Sequence, residues 1–270
     1  MRKLLRANFY SLRKSRALWL CMAGAFAFSA FFMLRFSSSD ETYTLDSLFM
    51  QAFPFLPILH AAFVSLLLGT EYQDGTLRNK LIVGHSRLKV YAASLVSAVV
   101  GCFAIVLAWA LGSMVGIFRF GWFTLPAGAL LLAAVLILLL TAALAAILTM
   151  LGMLTPNRAA SAVAGILLMF TLIAVGSSFY NALCEPEFST AAVATGNGFE
   201  FTEQVPNPAY VSGTARTLCQ FFADALPTSQ AILLADQALT RPVLSLCTSA
   251  CLVLMVSAAG AYLFQKKNLK

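Results

Sequence analysis

Six apolar segments of this chain are each long enough to cross a bilayer, which takes about 20 residues of helix. We predict spans at residues 17–34, 51–69, 91–118, 125–152, 159–180 and 243–264. The third and fourth exceed the required length, so we expect them to tilt or to extend beyond the hydrocarbon. Because lipid leaves backbone groups without external hydrogen-bond partners, spans of this kind are helical. The sequence therefore predicts an all-α membrane protein with six transmembrane helices in a single transmembrane domain, residues 1–270.

The composition excludes a soluble protein. Hydrophobic residues make up 60% of the chain and charged residues 11%, whereas about a quarter of a soluble domain is charged. A net charge of +7 does not indicate a nucleic-acid partner, because the basic residues lie just outside the apolar segments. That placement is typical of a multi-pass membrane protein.

Lysine and arginine are distributed unequally between the two sides of the predicted bundle. With both termini in the cytosol, 14 of them lie inside and 4 outside. The inside residues are Arg2, Lys3, Arg6, Arg13, Lys14, Arg16, Arg78, Lys80, Arg87, Lys89, Arg158, Lys266, Lys267 and Lys270. The positive-inside rule therefore predicts that both termini are cytoplasmic. We also expect the membrane to be a plasma membrane and its source to be bacterial.

The arm before the first span, residues 1–16, has an amphipathic pattern. Leu5, Phe9 and Leu12 recur at helical spacing, and arginines occupy the remaining faces. This pattern favours an interfacial helix with arginines among anionic headgroups, the alternative being a simple positive anchor.

A cleavage box at Ala25–Phe26–Ala27 would suggest a signal peptide, but the apolar run continues to Leu34, which favours a retained span.

Catalytic signatures are missing from the sequence. It contains no phosphate-binding loop, no H-E-x-x-H and no G-x-S-x-G, so we expect neither enzymatic activity nor a metal or cofactor on this chain. Of the ionisable side chains other than Cys and Tyr, His60 alone is predicted deep within a span. Ion-coupled transporters need such groups in the membrane, so we expect a partner to supply the driving energy.

His60 follows Pro54 and Pro57, which we expect to kink or unwind the start of the second span. A hydrogen bond to a neighbouring helix's carbonyl is the more common role of such a histidine, and a ligand contact is the alternative.

The segment at residues 181–242 is the only sizeable polar part, and it is predicted to be extracellular. Its first half reads as loop. Its second half, from Ala215 to Leu239, reads as amphipathic helices lying on or dipping into the outer leaflet. Cys184 and Cys219 both lie here, and a disulfide or two free thiols fit equally well.

In the third span, Gly112 and Gly116 match a small-residue packing motif, which is a weak signal in a chain so rich in Ala and Gly.

The loop at residues 70–90 follows the second span and carries a charged cluster, EYQDGTLRNKL. A short structured loop of this kind on the cytoplasmic side suits contact with a soluble partner. The stretch from Glu71 to Tyr91 resembles the signature region of ATP-binding-cassette transporter permeases of the type-2 exporter family. The basic arm and the segments NPAY, LPTSQA and FQKKNLK support the resemblance, and His85 is unusual for it.

The resemblance implies six spans per protomer, a second protomer as a homo- or heterodimer, and separate ATPase subunits that bind ATP and magnesium. It implies that the loop forms a coupling helix on the ATPase. The candidate coupling residues are Glu71, Asp74, Gly75, Thr76, Arg78, Asn79, Lys80 and Arg87.

The resemblance also implies a cavity between the protomers for a hydrophobic or amphipathic cargo such as a drug, peptide or lipid. Its candidate lining residues are Phe53, Phe55, His60, Phe63, Met169 and Phe170, although each fits a core- or lipid-facing position equally well. The alternative function is a membrane receptor or scaffold that recruits a soluble partner without transport.

Overall fold

The computed structural model describes residues 1–36, 43–51, 53–190, 192–195, 198–201, 204–237 and 241–267, so Lys270 lies outside the described residues. Within these ranges, six helical segments are long and apolar enough to cross a membrane, namely Arg16–Phe36, Leu45–Gln73, Arg87–Phe120, Ala127–Leu154, Arg158–Cys184 and Pro242–Lys266. The predicted all-α membrane fold is confirmed. Five predicted spans lie within these segments, and the fourth is displaced by two residues.

The helices in chain order are α1 Arg2–Lys14, α2 Arg16–Phe36, α3 Leu45–Gln51, α4 Leu56–Gln73, α5 Thr76–Ile82, α6 Arg87–Ser113, α7 Ile117–Phe120, α8 Ala127–Leu154, α9 Arg158–Cys184, α10 Gly213–Ala225, α11 Pro227–Ala235 and α12 Pro242–Lys266. An even number of spans brings both termini to one end of the bundle. We call this end, with α1, α5 and Lys267, the terminal face, and the end with α10 and α11 the opposite face.

The second span is interrupted near its start, as its prolines predict. A 3-10 turn at Phe53–Phe55 separates α3 from α4, and Pro57 lies in the first turn of α4. Proline fits these positions because it lacks an N–H to donate and its backbone angle suits a first turn.

The core of the bundle lies around α4, which packs against α2, α6, α8 and α9. Phe63 on α4 is fully buried. A Cβ at Gly101 of α6 would lie only 2.2 Å from the Phe63 ring, so glycine makes room for the aromatic side chain.

Glycine also brings α2 and α6 into close contact. A Cβ at Gly112 would lie 2.4 Å from the carbonyl oxygen of Phe26, and one at Gly116 would lie 2.9 Å from Met33. Nearby, the hydroxyls of Ser29 and Ser113 hydrogen bond across the two helices. Both glycines of the motif that the sequence marked only weakly are therefore packing positions.

The segment between the last two spans differs from its prediction in the first half, whereas the second half forms the predicted helices, α10 and α11. The first half, predicted as loop, forms antiparallel strand pairs, with β1 Phe188–Ser189 against β4 Val205–Pro206 and β2 Ala192–Thr195 against β3 Gly198–Phe201. In the second half, α11 packs against α3, α8 and α9 rather than lying on a lipid surface. Gly176 of α9 allows this approach, because a Cβ there would lie 2.9 Å from the backbone nitrogen of Ser229.

Candidate functional site

A sharp turn separates α4 from the short helix α5 at the terminal face. Gly75 adopts a left-handed φ of 64°, a conformation that costs glycine little and other residues more. The Thr76 hydroxyl then donates to the carbonyl oxygen of Glu71 at 3.1 Å. Leu77 is buried and anchors α5 to the body of the protein. The chain therefore reverses direction at Gly75, and Thr76 and Leu77 hold α5 in place.

Glu71 connects α4 to α5 and α6. Its Oε1 lies 2.8 Å from Lys80 Nζ, and both side chains are largely buried, with exposed fractions of 13% and 15%. Its other oxygen, Oε2, accepts a hydrogen bond from the Ser94 hydroxyl at 3.4 Å. Lys80 is therefore engaged within the chain, and the pair holds α5 against α4 and α6.

The outward surface of α5 combines charged and apolar side chains. Asp74, Arg78 and Asn79 are exposed, and among the described residues neither Asp74 nor Arg78 forms an ion pair. Ile82 and Val83 are 72% and 77% exposed. We did not select this apolar pair from the sequence, although its position directly after the charged residues of α5 was a usable signal.

Arg87, a predicted coupling residue, turns towards the end of α12. Its guanidinium donates to the carbonyl oxygens of Gln265, at 2.7 Å, and Lys267. Lys267 in turn donates to the Tyr72 hydroxyl at 2.9 Å and to the Met153 carbonyl at 3.0 Å, and burial lowers the pKa of its ammonium. We call these five residues the terminal clamp, because they join the ends of α4, α6, α8 and α12.

The six candidate cavity residues divide between the core and the surface of the single chain. Phe53, His60, Phe63 and Met169 are fully buried in its own core, whereas Phe55 and Phe170 are each 53% exposed. A groove of about 860 Å³ opens at the terminal face between α1, α4 and α5, and none of the six lines it.

His60 has no hydrogen-bond partner on either ring nitrogen among the described residues. The predicted bond to a neighbouring carbonyl is therefore absent there. An unpaired polar group is costly to bury, so the burial of His60 lowers the free energy of unfolding.

Cys184 and Cys219 are both free thiols in the structure. Cys184 is exposed at the end of α9, and Cys219 is half-buried in α10. Their pairing in an oxidising compartment stays a prediction. Among the described residues, no group of three or more His, Cys, Asp or Glu side chains is arranged to hold a metal ion.

The sequence of this chain is similar to that of a known protein family. A model of the family described as ABC-2 family transporter protein matches residues 4–178. The match covers more than half of the chain, from α1 into α9, and includes all of α5. A search of curated proteins finds no match.

Proposed function

Since the chain belongs to the ABC-2 family of transporter proteins, we propose that it is the permease of an ATP-driven exporter whose separate ATPase subunit docks on α5. In this proposal two protomers assemble in the plasma membrane with the terminal face in the cytosol. The cargo is hydrophobic or amphipathic, such as a drug, peptide or lipid. ATP and magnesium are bound by the ATPase.

The geometry of α5 is the observation that supports docking most directly. Its inner side is fixed by Leu77 and by the buried Glu71–Lys80 pair. Its outer side exposes Arg78 beside Ile82 and Val83. A basic side chain next to apolar ones is typical of a contact surface, in which apolar anchors contribute affinity and charges contribute orientation.

The same contacts provide a route for the movement of an ATPase to reach the spans. A push on α5 acts on α4 through Glu71 and Lys80, which lie 2.8 Å apart. It acts on α6 through the buried Leu77 and Ser94, and the terminal clamp continues the connection from Arg87 to α12. Closure of two ATPases on ATP would thus tilt α4 and α6 together.

A cavity between two protomers would be lined by outward-facing side chains. Of the candidate residues, Phe55 and Phe170 fit this role because they are half exposed. The fully buried Phe53, Phe63 and Met169 support the wall from within, so we propose that they shape the cavity without touching cargo.

The docking proposal is tested by purifying the tagged permease from its native host and identifying bound ABC ATPases by mass spectrometry and ATP hydrolysis. The double variant Arg78→Glu, Ile82→Asp changes two exposed side chains of α5. We expect it to insert normally and to lose about 2–4 kcal/mol of ATPase binding, the range of an interface hot spot.

The matched control is Lys266→Glu, a charge reversal at an exposed terminal-face position outside α5. It should retain the ATPase. A double variant that still holds a coupled ATPase would show that the partner docks elsewhere. A bound partner without ATPase activity would favour the receptor or scaffold function instead.

A further inference from the structure

The groove at the terminal face lies where charged and apolar parts of the chain meet. Its volume is about 860 Å³, and its lining includes Leu66 and Leu67 of the second span. The α1–α2 junction forms one side of it, through Ser15, Arg16 and Ala17. Polar α1 thus flanks an opening whose floor belongs to the membrane-spanning helices, an arrangement that suits a molecule with a polar head and an apolar body.

The aromatic residues near the junction are typical of headgroup depth. Trp19 is 58% exposed, and its indole donates to the carbonyl oxygen of Arg13 at 3.0 Å. Tyr10 is 63% exposed and lines the groove. Exposed Trp and Tyr mark the level at which a bilayer meets water.

The groove carries an excess of positive charge. The pair Glu71–Lys80 is internally neutral, since its charged atoms lie 2.8 Å apart. The other charged lining residues are four cations and one carboxylate, namely Lys3, Lys14, Arg16, Arg158 and Asp74. Neither of the two ion pairs among the described residues involves these four cations. The four cations are therefore available to bind an anion.

Asn8 provides a second, independent indication of a ligand. It lines the groove and is only 4% exposed, yet its Nδ2 has no hydrogen-bond partner among the described residues. Buried polar groups normally have a hydrogen-bond partner, and an acceptor in the groove would supply one for this amide. The amide can present its nitrogen to such an acceptor, because a half-turn exchanges the positions of its nitrogen and oxygen.

We propose that the groove binds the anionic phosphate headgroup of an acidic phospholipid from the adjoining leaflet. Lys14 and Arg16 flank the α1–α2 junction and bind the phosphate oxygens, and the Asn8 amide donates to one of them. Lys3 lies about 16 Å from Lys14 along α1 and adds positive charge at the far end of the groove. The acyl chains follow Leu66 and Leu67 into the bilayer. The bound lipid connects α1 with α5, because Asn79 and Val83 form the other side of the groove.

This site is separate from general attraction of the arm to a charged membrane. Arg2, Arg6 and Arg13 are exposed on α1 but do not line the groove. A matched pair of triple variants therefore removes the same charge either from groove-lining positions of α1 and the start of α2 or from the outer face of α1. The groove triple is Lys3→Gln, Lys14→Gln, Arg16→Gln, and the outer triple is Arg2→Gln, Arg6→Gln, Arg13→Gln.

The experiment is native mass spectrometry of the purified full-length permease titrated with phosphatidylglycerol or phosphatidylcholine. It needs no ATPase, so its outcome is independent of docking on α5. We expect wild type and the outer triple to prefer phosphatidylglycerol, and the groove triple to bind it at least about tenfold more weakly. Asn8→Leu should weaken binding about tenfold, the effect of one hydrogen bond to a charged group, with an unchanged elution profile.

Equal retention of the two lipids by the wild-type protein would overturn the proposal without any variant. Equal weakening by the two triples would reduce it to general charge attraction and also overturn it. If excess inorganic phosphate displaces phosphatidylglycerol, the ligand is a soluble anion and the lipid assignment is wrong.

Discussion

The two faces of the bundle are held together by different kinds of side chain. At the opposite face, where α10, α11 and α12 meet, short polar side chains are buried and bonded within a tight network, and Arg216 makes its carbonyl contacts outside it. At the terminal face, long charged side chains reach across half-exposed gaps to backbone carbonyls. The difference indicates which end tolerates movement, because short buried groups satisfy one another in few arrangements and long ones in many.

Gln230 of α11 is the centre of the opposite face. It is fully buried, and its Nε2 donates to the Asp224 carbonyl and, at 2.9 Å, to the Thr248 hydroxyl. Its Oε1 accepts from the Ser249 hydroxyl at 2.7 Å. Separating α10, α11 and α12 would break all of these bonds together.

The terminal clamp works differently. Arg87 is half-buried, and its guanidinium binds two carbonyls near the end of α12. A guanidinium carries five donors on a long side chain, so it can keep one bond while the helix ends shift. We therefore expect the opposite face to stay rigid and the terminal face to move when a partner pushes on α5.

The largest effect is expected from Gln230→Leu. Leucine nearly fills the site but leaves the Ser249 hydroxyl without its partner, so we expect a loss of about 2–4 kcal/mol of unfolding free energy. Thermal unfolding in detergent measures it. The control Gln73→Leu removes one exposed bond of 3.4 Å from Arg158 and should cost far less. Equal losses would mean that α11 is not the rigid centre.

A smaller loss is expected from Gly112→Ala. The new Cβ would lie 2.4 Å from a backbone oxygen of α2, and backbone cannot rotate away, so the helices must separate at a cost of about 1–3 kcal/mol. Gly128→Ala on α8 is the control, because a Cβ there has open space. The same unfolding assay compares them, and a Gly112→Ala variant as stable as its control would contradict the close α2–α6 contact.

The smallest effect on stability is expected from Arg87→Gln. Half-exposed charged contacts contribute little, so we expect a loss below about 1 kcal/mol. Thermal unfolding of this variant beside Gln230→Leu sharpens the comparison between the two faces. A loss as large as that of Gln230→Leu would show that the terminal face is as rigid as the opposite one.

The spans and the interruption of the second one were predictable from the sequence because their causes are local. A membrane span needs about 20 apolar residues, and Pro54 and Pro57 alter the backbone where they occur. The packing of Gly112 and Gly116 was visible only as a weak motif, since the partner surface around Phe26 and Met33 cannot be read from α6 itself.

Burial of α11 and pairing of Lys80 could not be predicted for a common reason. An amphipathic pattern shows that one side of a helix avoids water, but not whether lipid or protein covers it. The charge of Lys80 likewise suggests a solvent-facing contact until the turn at Gly75 brings it to Glu71. Arg78 lies outside this turn contact and keeps the exposed position that the resemblance implied.

The distance along the chain within the terminal clamp has a consequence for biosynthesis. Arg87 leaves the ribosome 178 and 180 residues before the two carbonyls that it binds, which is roughly 10–40 s at ordinary rates of translation. During that interval α4, α5 and α6 exist without α12. The terminal clamp is thus completed last, and a nascent chain interrupted before Pro242 has α5 but lacks the contacts of α12 with α4, α6 and α8.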